Sequence, residues 1–130
     1  KKWPHFNQLI RIIKSKHLNL EIAIAPGSNE IEESKKIESV SIMNNDEPLS
    51  IIELAGLILR SNYVIANDTG PAHMAAHLGK NGIALFGHHT TAKKVSIETE
   101  KFKTISVVNL NELTAEKVYL YIKDKLELIN

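Results

Sequence analysis

The stretch Tyr-Val-Ile-Ala-Asn-Asp-Thr-Gly-Pro-Ala-His at residues 63–73 decides the fold. Its first four residues predict a buried strand that ends at Asn67-Asp68. Pro71 is typical of the first turn of a helix, because its missing N–H needs no partner there. We expect that helix to run from Pro71 to Leu78 and to stop at Gly79. A strand, a tight turn and a helix in this order form a unit of an α/β fold.

Short apolar strands and helices alternate on both sides of this stretch. Such alternation predicts a Rossmann-like parallel sheet flanked by helices, with ligands bound at the carboxyl ends of the strands. The polar residues 88–103 predict a loop over the site, with room for a short helix in it. The predicted strands are residues 20–25, 39–43, 63–66, 82–86 and 104–108, and the predicted helices are residues 4–16, 30–38, 51–60, 71–78 and 114–129.

Three side-chain patterns predict where the core lies. Ser50 and Glu53 have the spacing of a capping box, and the helix that follows them is apolar over most of its surface, so we expect it to be largely buried. Trp3 is expected to be a core anchor for the first helix rather than a platform for base stacking. The last helix is expected to bury one stripe, made of Val118, Tyr121, Ile122, Leu126 and Ile129.

Composition narrows the class of protein. The chain has 130 residues, 43% hydrophobic and 24% charged, which predicts one soluble domain at residues 1–130. A net charge of +1 favours neither nucleic acid nor an acidic partner. Cysteine is absent, which excludes disulfides and thiol chemistry. No apolar run approaches the roughly 20 residues of a membrane span. Because the chain begins at Lys1 without an initiator methionine, we expect a fragment of a longer protein.

Residues 68–73 combine groups that can bind an anion. The first turn of a helix has N–H groups without helical partners and a partial positive charge, and both stabilise a phosphate. Gly70 allows close approach of the backbone, the Thr69 hydroxyl can donate to a phosphate oxygen, and the N–H groups of Gly70, Ala72 and His73 are expected to be available. An Asp-Thr-Gly-Pro turn also makes a plain helix cap that needs no ligand. These residues alone support the cap and the anion site equally.

Six histidines raise the question of a metal site. His73 and His77 lie four residues apart on one helix face, which is a usable ligand spacing, and His88-His89 follow the next predicted strand. No cysteine and no His-Glu-x-x-His pattern accompany them. Because such pairs are common by chance, we predict no metal site, and we expect His77 to be a surface or partly buried residue without a functional role.

The sequence resembles glycosyltransferase family 9, the heptosyltransferases of lipopolysaccharide inner-core assembly. The residues at 67–79, followed by Ile-Ala-Leu-Phe-Gly at 83–87, are similar to the signature of that family. Lys-Lys-Trp-Pro at 1–4 resembles its Lys-x-Trp-Pro, and residues 49–55 resemble the helix before the signature. The sequence departs from the family after Gly87, where Pro followed by Ser or Thr is usual, and at residues 80–82, which lack a Pro. The rim of the donor pocket is therefore expected to differ.

This resemblance implies the C-terminal, donor-binding half of a two-domain GT-B fold. It implies that Thr69 and Gly70 hold the donor diphosphate, that Lys1 contacts the phosphates, and that Asp68 faces the sugar, which accounts for a carboxylate beside an anion. His73 is implied near the donor, on the first turn of the same helix. Glu30 is implied on the ribose hydroxyls, with Glu32 or Glu33 in that role if the alignment shifts. No metal or cofactor is implied, because the nucleotide-sugar is a substrate.

The parent enzyme that the resemblance implies transfers heptose from ADP-heptose to a lipid-linked lipopolysaccharide inner-core acceptor. Its general base, an aspartate, belongs to an N-terminal acceptor domain that this sequence lacks. We therefore expect no catalytic residue here, and a fragment that binds the ADP-sugar but is inactive alone. The full-length enzyme is expected in the cytoplasm, free or peripheral to the inner membrane. Two alternatives remain: a non-catalytic Rossmann-like nucleotide-binding or interaction module, and a transferase of the same fold for another nucleotide-sugar.

Overall fold

The computed structural model describes residues 2–87 and 96–129. Helices and strands alternate along most of this length, as the sequence predicts. The helices are α1 (Phe6–Lys16), α2 (Ile31–Ser34), α3 (Ile51–Arg60), α4 (Gly70–His77) and α5 (Ala115–Ile129), with a short 3-10 helix at Leu110–Glu112. The strands are β1 (Ala23–Ile24), β2 (Val40–Ser41), β3 (Val64–Asn67), β4 (Gly82–Phe86) and β5 (Phe102–Ser106).

Every pair of these strands is parallel, which confirms the predicted α/β class with parallel strands flanked by helices. The strands form two sheets where the sequence predicted one: β1 pairs with β2, and β3, β4 and β5 pair in that order. β1 and β2 are shorter than predicted because backbone N–H groups before each strand form hydrogen bonds within turns and not between strands. The N–H of Leu20 donates to His17 O at 3.2 Å, and that of Ser39 donates to Ile37 O at 2.9 Å.

The chain divides into two compact units, the first made of Lys1–Pro4 and Ala55–Thr114, the second of His5–Leu54 and Ala115–Asn130. In the first unit, β4 is the central strand, and all of its residues are buried. α4 packs against β3 and β4. The buried residues of α4 are Ala72, Ala75 and Ala76, whose small side chains let the helix lie close to the strands.

In the second unit, α1 packs against α5. The ring nitrogen Nε2 of His17, which follows α1, lies 2.8 Å from the hydroxyl of Tyr119, and both side chains are buried. The prediction that Tyr121 belongs to the buried stripe of α5 is wrong, because Tyr121 is 61% exposed. Tyr119 takes that place, since it continues the face that Ala115, Val118, Ile122 and Leu126 bury.

The start of α3 has the predicted capping box. The Ser50 N–H donates to Glu53 Oε1 at 2.8 Å, and the Glu53 N–H donates back to Ser50 Oγ at 3.1 Å. The prediction that α3 is largely buried is wrong: Ile58 is buried, whereas Ile51 and Ile52 are 76% and 85% exposed. The apolar side chains of α3 point to all sides of the helix, but only the side that carries Ile58 is covered by other residues.

Among residues 2–87 and 96–129, no helix is both long enough and apolar enough to cross a membrane.

Candidate functional site

The candidate site lies where β3 ends and α4 begins. β3 pairs in register with β4, from Val64 opposite Gly82 to Asn67 opposite Leu85. Two residues, Asp68 and Thr69, separate the last residue of β3 from Gly70, the first of α4. Because α4 packs on β3 and β4, its amino terminus is held at the carboxyl end of the strands, where ligands bind in parallel α/β folds.

The far end of α4 fixes the length of the helix. Gly79 has a φ of 74°, and its N–H donates to Ala76 O at 3.1 Å. The N–H of Lys80 donates to Ala75 O, also at 3.1 Å. These two bonds make the glycine-terminated cap that the sequence predicts at this position, and they satisfy carbonyls that the helix end would leave without partners.

The first turn of α4 is not capped by a side chain. Thr69 is the N-cap residue, yet its side chain makes no capping hydrogen bond. Its hydroxyl donates instead to the carbonyl oxygen of Asn67, at 3.3 Å. This distance is long for an O–H···O bond, so turning the hydroxyl toward a ligand costs little.

The N–H groups of the first turn differ from the prediction. The N–H groups of Ala72 and His73 both donate to the carbonyl oxygen of Thr69, at 3.1 and 3.3 Å, so the expectation that they are available for a ligand is wrong. For the N–H of Gly70, no acceptor is found within the described part of the chain. Pro71 has no N–H, so Gly70 is the backbone donor left at this helix start.

The space around Gly70 is open. A Cβ atom added to Gly70 would meet nothing within 4 Å. Gly70 is exposed, and its φ is not positive, so neither packing nor backbone conformation requires a glycine here. The fold itself therefore does not require a glycine at this position. A glycine at the start of a helix allows a ligand to come close to the backbone and to accept a hydrogen bond from its N–H.

Asp68 and His73 lie on either side of this turn. The Nε2 atom of His73 is 3.9 Å from Oδ1 of Asp68, and the two side chains are about one third and one quarter exposed. A protonated imidazole at this distance offsets part of the carboxylate charge. The structure therefore brings Asp68, Thr69, Gly70 and His73 together, as the sequence predicts.

Asn67 connects this turn to the start of the chain, a contact that the sequence did not predict. The backbone N–H of Trp3 donates to Oδ1 of Asn67 at 2.9 Å. The Trp3 indole N–H donates to Leu113 O at 2.7 Å, and the side chain is 2% exposed, which confirms that Trp3 is a core residue. The sequence feature that could have indicated this contact is a polar residue at the end of an apolar strand. Lys1 lies outside the described residues.

Glu30 belongs to the second unit, where it is the N-cap residue of α2. Its Oε1 accepts the N–H of Gly27 at 2.8 Å, and its own N–H donates to Gly27 O at 3.0 Å. This closes a tight turn after the carboxyl end of β1. Of the alternatives, Glu32 is exposed and forms an ion pair with Lys35 at 2.9 Å, which lowers the pKa of the carboxyl group.

Metal ligands do not cluster in the part of the chain that the structure describes. No group of three or more His, Asp or Glu side chains there is arranged to hold an ion. His77 is exposed at the end of α4. His88 and His89 lie outside the described residues, as does the first half of the predicted loop at 88–103. In the second half, residues 96–97 are helical and β5 takes the last two residues.

The described residues define an α/β protein, with a helix amino terminus and an open glycine at the carboxyl end of a parallel strand. Anions are commonly bound at such a position in α/β folds. The chain belongs to glycosyltransferase family 9 (heptosyltransferase), whose sequence profile matches residues 1–120. A search of curated proteins found no significant match.

Two solved structures share the fold. One is E. coli heptosyltransferase WaaC with ADP, with a TM-score of 0.82 and 22% identity over 96% of this chain and 40% of that one. The other is E. coli heptosyltransferase WaaC with ADP-2-deoxy-2-fluoro heptose, with a TM-score of 0.79 and 22% identity over 95% of this chain and 39% of that one. This chain thus spans about two fifths of the length of WaaC, and it matches part of a GT-B enzyme.

Proposed function

We propose that this chain binds the nucleotide-sugar donor of a glycosyltransferase, and that the donor is ADP-heptose or a close relative. Membership of the heptosyltransferase family supports the reaction class. The solved structures of similar fold contain ADP and ADP-2-deoxy-2-fluoro heptose, which supports an adenine nucleotide.

The observation that carries this proposal is the start of α4. If residues 68–71 were only a helix cap, the Thr69 side chain would accept an N–H of the first turn, as N-cap threonines commonly do. It does not, and a Cβ atom added to Gly70 would meet nothing within 4 Å, so the surface beside the helix start is open. A diphosphate placed there would accept hydrogen bonds from the Gly70 N–H and the Thr69 hydroxyl, at the positive end of the helix dipole.

The remaining roles are those that the resemblance to the family implies, and the charges of the side chains are compatible with them. Asp68 would repel a phosphate, so its carboxylate is suited to accept hydrogen bonds from sugar hydroxyls next to the diphosphate. A protonated His73 would offset part of the charge of Asp68, and Lys1 would add a positive charge near the phosphates. Glu30 would accept hydrogen bonds from the ribose hydroxyls, with Glu32 and Glu33 as alternatives.

In the parent reaction, sugar transfer releases the nucleoside diphosphate as leaving group, and its developing negative charge is stabilised by Thr69, Lys1 and the N–H of Gly70. The acceptor would be a lipid-linked lipopolysaccharide core, held by a domain outside this chain that also supplies the aspartate base. The present chain would then bind the donor without transferring the sugar. No metal ion takes part in this proposal, and the parent enzyme would act in the cytoplasm.

Calorimetric titration of the chain with ADP, GDP and UDP tests the proposal. We expect ADP to bind most tightly, and Thr69→Ala to weaken ADP binding about 3- to 10-fold, since it removes one hydrogen bond to a charged group. Thr104→Ala is the matched control, because the Thr104 hydroxyl donates to Glu98 at 2.8 Å and should not affect ADP. No ADP binding by the unaltered chain would refute the proposal, and tighter binding of GDP or UDP would reassign the donor.

A further inference from the structure

The exposed face of α3 carries an apolar stripe. Ile52 and Leu59 are 85% and 54% exposed, and Gly56, which lies between them in sequence, is exposed as well. Their spacing of four and three residues places these three positions next to one another on one face of the helix. The buried residue of α3, Ile58, lies on the opposite face. The stripe therefore has a large apolar side chain at each end and a glycine at its centre.

The described part of the chain gives no reason for a glycine at position 56. The φ of Gly56 is not positive, and an added Cβ atom would meet nothing within 4 Å. Glycine is also the poorest helix former after proline, so its place in the middle of α3 is unfavourable for the helix itself. A glycine on an exposed face lets a second helix approach closely, because the distance between packed helices depends on the side chains at the contact.

Two opposite charges lie beside this stripe. Glu53 and Arg60 are both exposed, and their separation of two helical turns puts them on one line along α3, too far apart to pair with each other. The Glu53 carboxylate is held in place, because it accepts the Ser50 N–H at 2.8 Å and the Asn44 side-chain amide at 2.9 Å. A carboxylate has about four acceptor sites, so it can also bind a guanidinium group. For Arg60, no such partner is found within the described residues.

We propose that α3 is the contact face between two copies of this chain, whose α3 helices pack antiparallel and cross at Gly56. Glu53 lies three positions before Gly56, and Arg60 lies four positions after it. An antiparallel pair with its two-fold axis near Gly56 therefore places Glu53 opposite Arg60 of the second copy, and the symmetry repeats this ion pair.

The apolar residues agree with the same arrangement. Ile52 and Leu59 lie on the other side of the crossing from the ion pairs, and Ile52 of each copy comes next to Leu59 of the other. A parallel pair would instead place Glu53 opposite Glu53 and Arg60 opposite Arg60, which is unfavourable. The exposed face of α3 is thus complementary to itself in one orientation, both in charge and in its apolar residues.

The size of the contact predicts a weak dimer. Two short helix faces bury less than the roughly 1,200 Å² at which stable interfaces begin, so we expect a dissociation constant of about 10–100 µM. Sedimentation equilibrium of the unaltered chain over about 5–500 µM should show monomers at the lowest concentration and mainly dimers at the highest. A chain that stays monomeric over this whole range would overturn the proposal.

Charge reversal tests the pairing of the two helices. Arg60→Glu places two carboxylates opposite each other and should weaken dimerisation at least about tenfold. Glu53→Lys does the same with two positive charges. In an equimolar mixture of these variants, both ion pairs form again with the charges exchanged. The mixture should therefore form dimers at concentrations at which either variant alone is monomeric. Unweakened dimerisation of Arg60→Glu, or no gain of dimer on mixing, would overturn the proposal.

Two further variants control for net charge and for the helix cap. Lys123→Glu reverses an exposed charge on α5 and should dimerise as the unaltered chain does. Glu53→Lys also removes the capping box, whereas Glu53→Gln keeps an acceptor for the Ser50 N–H and loses only the charge. Glu53→Gln should weaken dimerisation about 2- to 5-fold, and circular dichroism shows whether each variant keeps its helices.

Gly56→Leu separates the dimer contact from the fold. Because nothing lies within 4 Å of the added Cβ and leucine is the better helix former, the dilute, monomeric variant should resist urea at least as well as the unaltered chain. Its dimerisation should nevertheless weaken at least about tenfold, since the new side chain fills the space at the crossing. Full dimerisation of a stable Gly56→Leu chain would overturn the crossing at Gly56.

Discussion

The imidazole nitrogen Nε2 of His73 lies 3.9 Å from the carboxylate oxygen Oδ1 of Asp68, across the turn that joins β3 to α4. Both side chains are partly exposed, and both flank Gly70 and Thr69, where we propose that the donor diphosphate binds. Placing a carboxylate beside a diphosphate is unfavourable unless another part of the ligand compensates for it. If the donor binds as proposed, Asp68 would therefore distinguish a nucleotide with a sugar attached from one without.

We predict that Asp68→Asn strengthens binding of ADP but not of ADP-heptose. Removing the negative charge relieves repulsion of the phosphates, which should raise ADP affinity about 3- to 10-fold at low salt. For ADP-heptose this gain is offset by loss of the charged acceptor for the sugar hydroxyls. Parallel calorimetric titrations measure both affinities. Asp124→Asn, an exposed aspartate of α5, is the control for net charge. Weaker binding of ADP by Asp68→Asn would contradict the sugar-facing role.

Gly82 is predicted to be essential to the sheet that carries the site. An added Cβ would lie 2.5 Å from ring atom Cε2 of Phe102 and closer still to the backbone oxygen of Val64, its neighbours on β5 and β3. Gly82→Ala should therefore lower the free energy of unfolding by about 1–3 kcal/mol. Urea denaturation followed by circular dichroism measures the change.

The control for Gly82→Ala is Gly56→Ala in α3, where a Cβ would meet nothing within 4 Å. That variant should raise the free energy of unfolding by about 0.5–1 kcal/mol, since alanine is the better helix former. Equal stability of the two variants would show that Phe102 does not pack over Gly82 as described.

Tyr119 is predicted to contribute to stability, and Tyr121 is not. Tyr119→Phe leaves the buried Nε2 of His17 without its partner at 2.8 Å and should cost about 1–3 kcal/mol of unfolding free energy. Tyr121→Phe removes the same atom from an exposed ring and should change stability by less than about 0.5 kcal/mol. Thermal and urea unfolding of the two variants compare them directly. A larger loss of stability for Tyr121→Phe than for Tyr119→Phe would support the stripe predicted from the sequence, in which Tyr121 is buried.

Local signals in the sequence predicted much of the fold. The bounds of α3 and β4 were predicted to the residue. The capping box of Ser50 and Glu53 marks the start of α3, and Gly82 and Gly87 mark the two ends of β4. β5 begins two residues earlier than predicted, at Phe102. The apolar residues Ile105, Val107 and Val108 suggested a later strand, but register with β4 decides the pairing, and Val108 remains exposed.

Tertiary packing accounts for the features that the sequence did not predict. Periodicity places side chains on a helix face but does not say which face another element covers, so the burial of Tyr119 and the exposure of Ile51 depend on packing partners. The bond between Trp3 and Asn67 joins residues 64 positions apart, and no local pattern encodes it. At the candidate site, the motif predicted the grouping of Asp68, Thr69, Gly70 and His73, whereas the hydrogen bonds of Ala72 and His73 to Thr69 required coordinates.

The most direct test of the donor site at the start of α4 is ADP titration of Gly70→Ala, with the unfolding free energy measured on the same sample. Because the new Cβ meets nothing within 4 Å, stability should change by less than about 0.5 kcal/mol. ADP affinity should fall at least about tenfold, since the methyl group occupies the space through which a phosphate reaches the Gly70 N–H. Gly56→Ala should leave ADP affinity unchanged. Full ADP affinity in a stable Gly70→Ala chain would contradict the account and would make residues 68–71 a plain helix cap.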